Sequence, residues 1–272
     1  MQSAATINFR EHTAPNGVLY LTAPTIGLRH AFTTRVGGVS TGDQAGLNLS
    51  VHRDGSFENV SENYRRLGEA TGIDTARLVR TKQVHGNTVR TVTAADVLPL
   101  ATEVPYEADG LVTNIPGLAL ICYTADCVPV LLADARHGVI AAVHCGWRSS
   151  VVDILRIALE AMAALGAAPE TTAAAIGPAI ARCCFEVGGE VIEAVDAYLG
   201  GDSAGLYDPV EGRAGKWLLD LKAANARRLV QLGVPETSVA VSGDCTFCLP
   251  EKYWSHRYTK GKRGNQGAII TL

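Results

Sequence analysis

The residues in this chain whose types and spacing suit chemistry gather between Ala108 and Arg148, in ADGLVTNIPGLALICYTADCVPVLLADARHGVIAAVHCGWR. Cys127 follows Asp126 in the break between two apolar runs, and His144 closes a third run just before Gly146-Trp147-Arg148. A further histidine, His85, stands upstream in Gln83-Val84-His85-Gly86. One thiolate and two imidazoles form the donor set of a catalytic zinc, which keeps its fourth position open to activate water or polarise an oxygen. Cys127 and His144 alone would serve as nucleophile and base, with Asp126 or another acid orienting the imidazole. Structural packing is the third reading, because a histidine at a strand end is commonly just hydrogen-bonded. Residue types alone leave all three open.

The elements that must position these residues are short. Runs 118–124, 128–133 and 139–143 are apolar, partly β-branched and separated by polar or glycine breaks, which predicts buried strands rather than one helix. Residues 78–84 read as the strand that delivers His85, and 88–92 as the next. Stretches 18–22, 28–34, 172–176, 238–242 and 268–272 complete the strand set. Helices are expected over 57–72, where Val60, Tyr64, Leu67 and Thr71 recur at helical spacing and Gly72 is a stop signal. Others are expected over 151–165, with Ser149 and Ser150 as N-caps, over 189–198, and over 217–232. Residues 200–215 read as a polar loop. The elements alternate irregularly, without a repeat or a linker, so the expectation is one domain over 1–272, of α+β class with mixed β-sheets and flanking helices.

The chain has 272 residues, 47% of them hydrophobic, with 28 glycines and a formal charge of −3. Such a body has no broad basic field for a nucleic-acid backbone, and small molecules are the expected partners. No apolar run reaches the roughly 18 residues of a spanning helix, and the N-terminal stretch has no leader pattern, so a cytoplasmic protein without membrane attachment is expected. Seven cysteines, at 122, 127, 145, 183, 184, 245 and 248, suit a reducing compartment. Cys122 and Cys145 read as core filler. The vicinal pair Cys183-Cys184 is either a free thiol near a site or packing. Cys245-Thr246-Phe247-Cys248 is a CxxC, a zinc or redox signal that lacks a second CxxC to match it.

Several cations are candidates for an anionic substrate. Arg35 precedes the paired glycines 37 and 38, whose exposed amides could help hold an anion. Arg148 lies where a strand hands over to a helix, a place where backbone N–H groups attract negative charge. A basic tail, from Ser255-His256-Arg257 through Lys260, Lys262 and Arg263, reads as either a solvated loop or an anion clamp.

Taken together, QVHG (83–86), ADGLVT (108–113), ADCVPVLLAD (125–134), GVIAAVHCGWR (138–148), IGPAI with CCFEVG (176–188), DCT (244–246), the Ser-His-Arg of 255–257, TRVGGVS (34–40) and the Asn-Leu of 48–49 resemble the laccase-domain family. That family was once named multicopper polyphenol oxidase and is now regarded as a group of purine nucleoside phosphorylases. The resemblance implies a layered sandwich of mixed sheets between helices, and a zinc bound by His85, Cys127 and His144, with copper as a competing ion. It implies phosphorolysis of adenosine, inosine and methylthioadenosine, with deamination of adenosine, the catalytic work falling to the same three ligands. Arg35, Asn48, Arg148, Ser255 and Arg257 become the expected contacts to nucleoside and phosphate. Two departures stand out: Cys145 replaces a residue that is usually small, and Ser255-His256-Arg257-Tyr258 lacks a second arginine, so that charge must come from Lys260, Lys262 or Arg263. A true multicopper oxidase needs a blue-copper site and a histidine-rich trinuclear cluster, whereas these seven histidines include no His-x-His pair. The remaining alternatives are an amide hydrolase using Cys127 or a zinc-activated water, and weak phenol oxidation by adventitious copper.

Overall fold

The computed structural model describes residues 9–53 and 56–272. Residues 1–8, which belong to the N-terminal stretch read above for a leader, and residues 54–55 lie outside it. Two six-stranded mixed sheets face each other. The first runs, in spatial order, Arg10–Thr13, Leu19–Thr22, His30–Thr33, Gln266–Thr271, Ala119–Thr124 and Leu78–Val79. The second runs Val239–Val241, Ala173–Ile176, Val128–Asp134, Val139–Cys145, Gly110–Thr113 and Val89–Thr91. A small third sheet joins Glu186–Gly188, Lys216–Leu219 and Tyr207–Pro209.

Strand alternation divides the core into layers. Leu120 and Cys122 of the first sheet pack between the sheets with Leu131, Ala133, Ile140 and Ala142 of the second. Their neighbours Ala119 and Ile121 face the other way, onto Val60, Tyr64 and Leu67 of helix Phe57–Thr71. Val130, Leu132, Val139 and Val143 point outward from the second sheet, under helices Ile154–Ala163, Gly189–Tyr198 and Leu221–Gln231. The molecule is therefore an α/β/β/α sandwich, the layered α+β arrangement expected.

Helix Phe57–Thr71 begins where Ser56 accepts a hydrogen bond from Asn59 and ends at Gly72, whose φ of 67° suits a residue without Cβ. Four expectations fail. Residues 200–215, read as a loop, contain the strand Tyr207–Pro209, which pairs with Lys216–Leu219. The other three fail for side-chain reasons. The strand expected over 78–84 stops at Val79, because Arg80 turns its guanidinium onto the carbonyls of Pro99, Leu100 and Thr102, and the chain beyond it is held by Asp109. The helix expected over 151–165 is two helices. Trp147–Val151 starts at Gly146, with Ser149 and Ser150 inside it rather than capping. It breaks at Asp153, held at φ 63° with its carboxylate bound by Arg228 and Arg156. Finally, Lys216–Leu219 pairs as a strand, and the following helix starts only after Asp220, which accepts from the Ala223 N–H at 2.9 Å.

Candidate metal centre

The site forms where the chain crosses between sheets. Ala119–Thr124 belongs to one and Val128–Asp134 to the other, so the three residues between them, 125–127, bridge the layers. That crossing needs a sharp turn, and Asp126 takes a φ of 89° to make it. Its carboxylate stabilises the turn by accepting from Thr246 Oγ1 and from the Arg257 backbone N–H, both at 2.6 Å, while its carbonyl accepts from the Ile180 N–H at 2.9 Å. Asp126 is thus committed to the loop. It does not orient His144, as one reading of the sequence had it.

His144 lies opposite Pro129 in the second sheet, and alternation turns its ring to the inter-sheet side while Cys145 points into the helix-side core. His85 reaches the same place from the loop after Val79, with φ at 61°. The two imidazoles meet edge to face, with centroids 4.8 Å apart. One donor atom each from His85, Cys127 and His144 lies within 4.8 Å of the others. The three residues expected as ligands are brought together.

Asp109, fully buried, organises both histidines. Its Oδ1 stands 2.8 Å from His144 Nδ1 and accepts from the His85 backbone N–H at 3.0 Å. Its Oδ2 accepts from the N–H groups of Val84 and Gly86, at 3.1 and 2.8 Å. A carboxylate on Nδ1 leaves Nε2 as the ligating atom of His144. Burial opposes charging of that imidazole, but the Cys127 sulfur and the Asp109 carboxylate outweigh it and carry its pKa up to about 9. His85 moves the other way, lowered by burial and by the neighbouring His144. Gly146 completes the fit: a Cβ there would stand 2.7 Å from His85 Nδ1 and 3.5 Å from Cys127 Sγ.

The three ligands open onto a cavity of about 680 Å³ whose wall includes Arg53, Arg80, Tyr123, Thr124, Arg263 and Asn265. Two polar atoms on that wall, Thr124 Oγ1 and Arg263 Nε, are buried and have no partner among the described residues. Burial and the facing Arg53 lower the Arg263 pKa to about 10, so two cations confront each other in a partly dry setting.

None of the five expected substrate contacts is among the residues that line this cavity. Arg35 donates to the carbonyls of Pro250 and Ala45 and stacks over Trp254 at 4.0 Å, locking two loops. Asn48 is buried, its Oδ1 accepting from the N–H groups of Ser50 and Asn265. Ser255 caps the short helix His256–Thr259. The Arg257 guanidinium donates to the Glu186 carbonyl. Arg148 lies exposed across the Trp147 ring, 4.3 Å from its centroid, outside the cavity wall. Asp109, Arg53 and Arg80 had no assigned role in the sequence; a buried acid at a strand start was the one signal for Asp109.

A three-residue N/S metal centre in an inter-sheet crossing defines the class, and the comparisons agree with it. The chain belongs to the family described as multi-copper polyphenol oxidoreductase laccase, which matches residues 29–272. A protein of Deinococcus radiodurans named purine nucleoside phosphorylase is 41% identical over 260 residues, covering 96% of this chain and 95% of that one. A protein from an unknown prokaryotic organism, adenosine deaminase RL5, is 34% identical over 84% of this chain and 87% of its own length. The crystal structure of YlmD from Geobacillus stearothermophilus superposes with a TM-score of 0.88 at 33% identity, covering 98% of this chain and 99% of that one.

Proposed function

We propose that this chain is a zinc-dependent purine nucleoside phosphorylase acting on adenosine, inosine and methylthioadenosine, with hydrolytic deamination of adenosine as a second activity. The carrying observation is the His85–Cys127–His144 cluster opening onto a cavity that also presents Arg53 and Arg263. Zinc fits the donor set: one sulfur and two nitrogens, a carboxylate behind His144, and no Cβ at Gly146 to crowd His85. Copper fits the same ligands, so the choice of zinc rests on the tetrahedral preference of mixed N/S sites. When bound, the metal supplies Lewis acidity beside the purine.

Phosphorolysis forms a bond from a phosphate oxygen to the sugar C1′ and breaks the C1′–N9 bond, leaving its electron pair on the purine. Arg263 and Arg53 supply the charge that holds and orients the phosphate, and the open Nε–H of Arg263 donates to it. Thr124 Oγ1 offers a hydroxyl on the same wall. Asp109 keeps His144 in one tautomer and His85 in place. The relatives' printed names support both reactions. Among the described residues no cluster holds three histidines, so the family's oxidase description finds no trinuclear ligand set in this chain.

One observation favours a second reading. Cys127, His144 and Asp109 are arranged as a nucleophile, a base and an acid that orients it. A hydrolase dyad has no use for His85, whereas a metal does. The test is product analysis of adenosine incubated with and without phosphate, beside metal content. Zinc at one site of the His/Cys/His type, with adenine formed only when phosphate is present and lost in Cys127→Ala, supports the phosphorylase. A protein without metal at Cys127, inactivated by alkylation of that thiol, sinks it in favour of the hydrolase.

A further inference from the structure

The vicinal cysteines and the CxxC, more than 60 positions apart in the sequence, meet beside Thr246, the residue that holds Asp126. Parallel pairing of Ala173–Ile176 with Val239–Val241 aligns the segments that follow, and an isolated bridge between Ala179 and Cys245 continues the alignment. Sγ of Cys183 and of Cys184 lie 3.6 and 3.3 Å from Cys248 Sγ. Together with Cys245 Sγ, the four sulfurs are all within 4.8 Å of one another. Four thiolates around one zinc at about 2.3 Å place their sulfurs about 3.8 Å apart, so this cluster already has tetrahedral dimensions.

The surroundings match as well. Cys245 Sγ accepts from the Ala181 N–H at 3.3 Å, and the backbone N–H groups of Phe247 and Cys248 turn toward the same sulfur, as in a zinc-knuckle turn. Lys222 is buried, its ammonium donating to the carbonyls of Ser242 and Asp244 and close enough to Cys245 and Cys183 to offset thiolate charge. The sequence reading missed this because it looked for a second CxxC, when the partner pair is Cys183-Cys184.

We propose that Cys183, Cys184, Cys245 and Cys248 bind a second, structural zinc ion. With four protein ligands it has no open position and takes no part in chemistry. It would staple the 181–186 turn to the 244–248 turn, and Thr246, between the two knuckle cysteines, carries that rigidity to Asp126 and so to the backbone of Cys127.

Zinc content separates the two sites. Purified in zinc-containing medium, the wild type is expected to hold two zinc ions per chain, and Cys127→Ser, Cys183→Ser and Cys248→Ser one each. Cys183 and Cys248 are exposed, so their serine variants can be checked for folding by circular dichroism. On the wild type itself, the two exposed thiols should resist alkylation until a chelator is added, and cobalt replacing zinc should give the absorption of a tetrahedral tetrathiolate. Cys248→Ser with the zinc content of the wild type, immediate alkylation of both exposed thiols in zinc-loaded protein, or iron at the site in place of zinc would each overturn the proposal. Because Cys127→Ser should keep one zinc, failure of this site and failure of the catalytic reading give different counts.

Discussion

Asp109 and His144 are joined twice: the His144 backbone N–H donates to the Asp109 carbonyl at 2.7 Å, and the Asp109 carboxylate meets the His144 ring at 2.8 Å. The same carboxylate gathers three consecutive N–H groups around His85. One buried acid thus sets the separation between two ligands that lie far apart in the chain. Asp109→Asn puts an NH₂ group where acceptors are needed. Zinc affinity should fall about 10- to 100-fold, measured by competition with a chromophoric chelator, and excess zinc should restore part of the activity. Unchanged affinity would remove Asp109 from the site.

Gly146 separates ligand geometry from folding. Its φ of −63° and ψ of 162° suit alanine, so the backbone tolerates Gly146→Ala. The added Cβ would meet His85 Nδ1 at 2.7 Å, and the half-free imidazole would swing aside rather than the core deform. The variant should melt within about 3 °C of the wild type yet lose metal at the His85–Cys127–His144 site. Full occupancy of that site would show that His85 is not needed as a ligand.

Arg263 lies just ahead of the last strand and carries a buried Nε without a partner among the described residues. Arg263→Ala should raise the phosphate KM about 10- to 100-fold while leaving zinc content alone. Arg53→Ala should act in the same direction. Arg148→Ala should change the phosphate KM little, because that guanidinium rests on Trp147 outside the cavity. The reverse pattern would put the phosphate on the helix side.

Much of this was legible in the sequence because it was local. The apolar runs around Cys127 and His144 read as strands because period and length agreed, and helix Gly189–Tyr198 lies where its pattern put it. Arg263 was legible only as one of several tail cations, since its place depends on strand Gln266–Thr271 pairing with residues over a hundred positions away. Arg35 and Arg257 have carbonyl partners that their local sequence does not announce, for a general reason. A guanidinium beside glycines or a helix start is as well used by carbonyl oxygens as by a ligand, and only the fold says which is nearer. Residues 217–219 were read as helix because apolar residues there continue a helical period, until pairing of strand Lys216–Leu219 with Glu186–Gly188 overrides it.

Acid stability should report on Asp134, far from the metal. Burial alone would push its carboxyl up, but donors from Thr171, Ala168 and His137 hold the pKa down at about 2. A lowered carboxylate pKa gives stability that is complete above the unfolded value near 3.9 and is lost as the pH falls toward 2. The contribution is about 2–3 kcal/mol. Asp134→Asn should therefore be less stable than the wild type at neutral pH and lose less between pH 4 and 2 in urea titrations. Parallel acid profiles for the two proteins would contradict this.

Strand Gln266–Thr271 occupies the middle of the first sheet, hydrogen-bonded to His30–Thr33 on one side and Ala119–Thr124 on the other, with Ala268, Ile269 and Ile270 fully buried. During synthesis, both neighbours stand as open apolar edges until the ribosome has released this segment. The nascent chain by then carries His85, Cys127 and His144, but not the sheet that holds Ala119–Thr124 in place, nor Arg263. Metal ligands precede the pocket in time, and the sixth strand of this sheet in chain order is the one that turns a collection of donors into a site.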